Sequence, residues 1–223
     1  MHVEALFTHN ESLRIESVNQ PGDGVAPRFF LGRTIAGNLW RFRSDLPGDL
    51  ALELKNLCHG EPEMNEISRA PDGQNEYIRL LEAHRPIQQV LSGPAYWVST
   101  DVVPSVPPVE IGETNADLLR GGLEDLLEDV PHRRPFMAMV EDGHAVSVCA
   151  SVRMTDTAHE AGVKTLPAYR QKGHATNVVA GWATAVRKIS AVPLYSTSWD
   201  NTASQNVAAK LGLPMFGVDF HIT

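Results

Sequence analysis

The residues Arg170-Gln171-Lys172-Gly173-His174-Ala175 set two basic side chains and one glycine immediately before a run with helical periodicity. A short loop that opens a helix exposes main-chain N–H groups with no helical partner, and the helix dipole adds positive potential, so the arrangement suits an anion. At Gly173 the missing Cβ lets an oxygen approach the main chain, while Arg170 and Lys172 add charge at the rim. Loops of the same composition also serve as plain strand-to-helix connections, so this stretch alone leaves both readings open. Other glycine loops do not fit: there is no GxxxxGK[ST] and no GxGxxG opening a βαβ unit. His159-Glu160 begins like the zinc motif HExxH, but Val163 stands in the second histidine's place and the segment reads as a strand, so no metal site is expected.

The elements around the loop follow from periodicity. "PFMAMVE" and "AVSVCASVRMT" flank Asp142-Gly143 as the strands of a hairpin, and "HEAGVKTL" is a further extended segment leading into the loop. From Ala175 onward Val178, Val179, Trp182, Ala183 and Val186 recur at the 3.6 period, which predicts a helix. "AVPLYSTSW" then reads as a buried strand. "NTASQNVAAKL" reads as a helix that starts at the capping residue Asn201 and stops before Gly212, and "PMFGVDFHI" supplies final extended pieces. Upstream, "NADLLRGGLEDLLEDV" carries Leu118, Leu119, Leu123, Leu126 and Leu127 at helical spacing, weakened in the middle by Gly121 and Gly122. In the first hundred residues "RFFLGRT" is extended, "GDLALELKNLCHG" and "NEYIRLLEAHRPIQQVL" are helical, and "GPAYWVST" is a strand. Pro104, Pro107 and Pro108 argue for an extended crossing over 100–113, taken as the subdomain boundary.

Bulk composition excludes several classes. The 223 residues, 43% of them hydrophobic, are enough for a real core, and no repeat or low-complexity block interrupts them. A formal net charge of -8 argues against a nucleic-acid surface and leaves amines as plausible partners, although most of that acidity reads as a solvated face. No stretch approaches the roughly 18 apolar residues of a membrane span, and the N-terminus lacks the marks of a leader, so a cytoplasmic protein is expected. The only cysteines, Cys58 and Cys149, are far apart and read as reduced, buried thiols.

Arg170 to Ala175 fit the form R-x-x-G-x-A, and here the chain resembles the large N-acetyltransferase family usually called GNAT, whose acetyl-CoA pyrophosphate loop has that form. The flanks share the likeness: "HEAGVKTL" stands where that family has a splayed strand, and "WDNTASQNVAAKLGL" matches its later helix with Asn201, Ser204 and Lys210-Leu211-Gly212-Leu213. The resemblance covers roughly 115–222. It implies a layered α/β fold with a mixed, mostly antiparallel sheet splayed between two central strands and helices on both faces. On this division residues 105–223 form the acetyl-CoA-binding domain, and residues 1–104 form an extra N-terminal subdomain or a degenerate copy of the same fold.

The resemblance also implies roles. Backbone amides of Gln171, Lys172, Gly173, His174 and Ala175 would cradle the pyrophosphate, with Arg170 at the edge. Val163, Lys164 and Thr165 would pair with the pantetheine arm as though it were an added strand, and Asn201 and Ser204 would touch the arm from the other side; Asn201 can equally be a helix cap alone. Glu160 is the candidate base for the acceptor amine, with an ordinary strand carboxylate as its bland alternative and His159, on the opposite face, a weak substitute. The family often supplies a tyrosine to protonate the departing thiolate, but that position is Ala208 here, which leaves Ser198 or Tyr195 as the acid. The implied activity is acetyl transfer from acetyl-CoA, the co-substrate, to a primary amine of a small molecule or peptide N-terminus, without metal, nucleic acid or membrane. The absent tyrosine admits a second class, a CoA-binding sensor or structural protein. A homodimer is one assembly compatible with this reading.

Overall fold

The computed structural model describes residues 1–22, 24–63 and 70–223. In chain order the elements are α1 (His2–Leu6), β1 (Phe7–His9), β2 (Ile15–Val18), β3 (Phe29–Thr34), β4 (Gly37–Phe42), α2 (Gly48–Gly60), α3 (Gln74–His84), β5 (Val90–Trp97) and β6 (Val109–Glu110). They continue with β7 (Phe136–Glu141), β8 (His144–Met154), β9 (Ala158–Thr165), α4 (His174–Lys188), β10 (Val192–Ser196), α5 (Thr202–Lys210) and β11 (Met215–Ile222). This is a mixed α/β fold whose strand pairs are mostly antiparallel. Two compact units divide it: Met1–Ala5, Trp97–Tyr195 and Ala203–Pro214 form one, and Leu6–Tyr96, Ser196–Thr202 and Met215–Thr223 the other.

In the second unit the strands run β4-β3-β11-β5, each pair antiparallel. Phe29, Leu31, Phe220 and Ile222 pack with Leu54 of α2 and Tyr77 and Leu81 of α3 into one core. The spacing predicts a helix over 75–91, but α3 stops at His84. Pro86 disfavours helical backbone at the residue before it, and Arg85 is extended (φ -157°, ψ 149°).

In the first unit the order is β6-β7-β8-β9-β10. The hairpin of β7 and β8 turns through Asp142 (φ 48°) and Gly143 (φ 80°), both left-handed as a two-residue hairpin turn requires. The helix expected over 115–130 is not continuous. Two 3-10 turns, Ala116–Leu119 and Glu124–Asp129, replace it. Gly121 (φ 109°) and Gly122 (φ 132°) separate them, and the Glu124 carboxylate accepts hydrogen bonds from both glycine amides, at 2.6 and 3.0 Å. Leu119 and Leu123 still reach the core, against Phe136, Val148 and Ala150.

The proline-rich crossing is bound along α4. Asn177 Oδ1 accepts hydrogen bonds from the Ser105 amide (3.0 Å), the Ser105 hydroxyl (3.0 Å) and the Val106 amide (3.1 Å). One helical turn on, Gly181 makes room for Pro108, whose Cγ lies 2.2 Å from where a Cβ would stand. At the helix end the Arg187 guanidinium donates to the carbonyls of Val98, Ser99 and Val102. Asn177→Ala leaves the two strap amides unpaired, and we expect a loss of about 2 kcal/mol in urea unfolding.

Candidate active site

The loop ahead of α4 has the backbone of an anion cradle. Gln171 (φ 65°) and Gly173 (φ 86°) are left-handed, and Gly173 occupies the N-cap position of α4. The amides of Gln171, Lys172, Gly173, His174, Ala175 and Thr176 have no backbone acceptor among the described residues. A Cβ at Gly173 would meet open space, with only Thr176 Oγ1 as near as 4.0 Å. The side chains here are otherwise engaged. Lys172 Nζ sits 4.6 Å from the centre of the Tyr169 ring, and His174 Nε2 lies 2.9 Å from Glu141 Oε1. The exposed Arg170 reaches back to the Thr165 carbonyl at 3.5 Å. An anion would therefore be held chiefly by main-chain N–H groups at a helix start.

β9 leads into this cradle with one edge open. It pairs with β10 in parallel only at Val192↔Ala158, Pro193↔His159 and Leu194↔Glu160, while its pairing with β8 continues to Thr165. Antiparallel hydrogen bonds alternate along a strand, and the Leu166 amide donates to the Val146 carbonyl on the β8 side. Counting back by twos, the main chain of Lys164 and Gly162 faces β8, and that of Ala161, Val163 and Thr165 faces the open edge. Of the three residues expected to pair with a pantetheine arm, Val163 and Thr165 are thus turned outward. Lys164 commits its main chain to β8, and its ammonium sits on the Asp125 carboxylate (2.8 and 2.6 Å).

Glu160 is buried, at 2% exposure. Its Oε2 lies 3.3 Å from Nε2 of His2 in α1. His159 points the other way, as strand alternation requires: its Nδ1 is 2.8 Å from Ser151 Oγ, which in turn accepts the Trp182 indole N–H at 3.0 Å. Burial pushes the His159 pKa down, which favours the neutral imidazole. The buried Cys149 thiol is pushed up, first by burial and then by the Glu160 charge.

The candidate acids fall in different places. Tyr195, on β10, is 2% exposed, and its hydroxyl meets the hydroxyl of Ser204 and donates to the Ser204 carbonyl (3.2 Å) on α5. Ala208, one turn further along α5, is buried and offers no proton. Ser198 and Asn201 belong to the second unit, where the Asn201 amide donates to the Ser198 carbonyl (3.1 Å) in the turn just before α5. His2 and Glu141 had no signal in the sequence, since each meets its partner only through tertiary packing. Among the described residues no group of His, Cys, Asp and Glu could hold a metal ion, and no helix is long and apolar enough to cross a membrane.

Residues 136–215 match the model of the family described as GNAT acetyltransferase. No curated protein matches the chain. A GNAT-family structure from Novosphingobium aromaticivorans is similar with a TM-score of 0.50 and 17% identity, covering 61% of this chain and 65% of that one. A GNAT-family acetyltransferase from Colwellia psychrerythraea is similar with a TM-score of 0.50 and 14% identity, covering 83% of this chain and 76% of that one. The chain thus spans about 65% of the length of the first of these relatives. Identities this low speak to the fold alone. The family match runs across β7, β8, β9, α4, β10 and α5, the elements that carry the loop at Gly173 and the open edge of β9.

Proposed function

We propose that this chain transfers the acetyl group of acetyl-CoA to a primary amine, on a small molecule or at a peptide N-terminus. The observation that carries the reading is the open edge of β9 running directly into the amides around Gly173. That geometry fits an extended amide-bearing arm followed by a pyrophosphate. The amides of Val163 and Thr165 would bind the arm, and one of them would polarise the thioester carbonyl. The main chain of 171–175 would bind the phosphates. Glu160 would take a proton from the acceptor's ammonium, and the neutral amine would attack the carbonyl carbon. The carbon–sulfur bond breaks as the amide forms, an acid protonates the thiolate, and the nitrogen's second proton restores that acid, so an ammonium and acetyl-CoA give an amide, CoA and one proton. Bound acetyl-CoA supplies the activated acyl group; the chain supplies orientation and proton transfer.

We assign the acid role to Tyr195, whose hydroxyl reaches α5 one turn before the buried Ala208. A thiol near pKa 8.5 leaves without much help, so Tyr195→Phe is expected to lower kcat only about tenfold with acetyl-CoA affinity unchanged, as steady-state rates and calorimetry would show. We assign the protein to the cytoplasm, a location in keeping with its two free, buried cysteines.

Ala208 also favours a second reading, a CoA-binding sensor with little turnover. Thiol release separates the two: purified protein given acetyl-CoA and a panel of polyamines, amino acids and aminoglycosides should liberate CoA in an acceptor-dependent way. Binding of acetyl-CoA with no acceptor-dependent release across the panel would favour the sensor.

A further inference from the structure

The second residue of the chain lies at the candidate base. His2 and Glu160 are 3.3 Å apart through Nε2 and Oε2, with side-chain exposures of 10% and 3%. The turn that carries His2 is anchored, since Val3 and Ala5 are buried. Other charged or titratable groups face the pair from the neighbouring strand: Arg153 of β8 stands opposite Glu160 in register, and the Cys149 thiol lies close enough to feel its charge. His159, next along β9, is turned away to Ser151. An imidazole and a carboxylate at this distance bind protons as a coupled unit, because each protonation state alters the other's electrostatic environment.

Resting on the acetyl-transfer reading, we propose that His2 is a positioning residue for the reaction: its imidazole holds the Glu160 carboxylate in place, so that the pair accepts the acceptor amine's proton. With the imidazole protonated, the pair is neutral overall and its carboxylate is held in an ion pair. Once that proton has gone to water, the pair carries one negative charge and takes one proton from the ammonium. It returns that proton to water after the amide has formed, and the chemistry otherwise balances as above.

Two measurements test this, and only one depends on turnover. In the first, the imidazole of His2, identified by the NMR signal missing from His2→Gln, is titrated in the wild type and in Glu160→Gln. A nearby carboxylate favours the imidazolium, so the midpoint should fall by about one pH unit or more in Glu160→Gln; an unchanged midpoint overturns the pairing. In the second, His2→Gln should bind acetyl-CoA as the wild type does, lose about tenfold in kcat/KM, and shift the acid limb of its pH profile to lower pH, because carboxylic acids release protons below imidazoles. Added imidazole should restore part of the rate of His2→Ala. A folded His2→Gln with the wild-type acid limb would overturn the proposal. If the wild type bound no acetyl-CoA, the acetyl-transfer reading would fail, while the NMR titration would still decide whether His2 and Glu160 are coupled.

Discussion

Gly173→Glu is expected to weaken acetyl-CoA binding by about 100-fold or more while the protein stays folded. Two effects act together. The residue has a φ of 86°, a conformation that costs a non-glycine residue roughly 1–2 kcal/mol. The new side chain would also enter the open space over Gly173 and bring a negative charge to the amides that would otherwise face phosphate oxygens. Gly173→Ala isolates the first effect and the bulk of one methyl group; a loss of about tenfold is expected there. Calorimetry with acetyl-CoA measures both, and circular dichroism reports whether the fold survives. The basic side chains should matter less. Lys172 is engaged with Tyr169 and Arg170 is exposed, so Lys172→Ala should cost only a few-fold, and more at low salt. Were Lys172→Ala as damaging as Gly173→Glu, the main chain would not be the principal phosphate ligand.

Glu160→Gln is expected to lower kcat by about 100-fold or more with acetyl-CoA affinity unchanged. Glutamine keeps the shape of the side chain, so packing in this buried position is retained, but it cannot take a proton from an ammonium. The loss should shrink as the pH approaches the acceptor's own pKa, because a growing fraction of amine is then neutral without help. A loss that stayed constant with pH would assign Glu160 a structural role.

How much of this could be read from the chain depends on how local the deciding physics is. The hairpin at Asp142-Gly143 and the strand, loop and helix over 158–188 were legible, because turn chemistry, alternation and 3.6 periodicity act within a few residues. The leucine spacing over 115–130 misled because two adjacent left-handed glycines, capped by Glu124, outweigh it; Gly121 and Gly122 were visible, but their conformations were not. The segment 75–91 misled in the same way at Pro86. The prolines of 104–108 announced an extended segment, yet nothing in them announced that Asn177, Gly181 and Arg187 bind it along α4. At the candidate site, Glu160 followed from the resemblance of its strand to the GNAT pattern, and His159 could be placed on the opposite face by alternation. His2 was hidden, since its approach to Glu160 joins the start of the chain to β9 and leaves no trace in local pattern. The division of main-chain roles between Val163, Thr165 and Lys164 likewise needed the register with β8.

Equilibrium titration of acetyl-CoA into the purified protein decides whether the amides around Gly173 hold a pyrophosphate. Saturable binding of one molecule per chain is expected, displaced by CoA and lost in Gly173→Glu. No binding at millimolar acetyl-CoA, or binding that Gly173→Glu leaves intact, would contradict it.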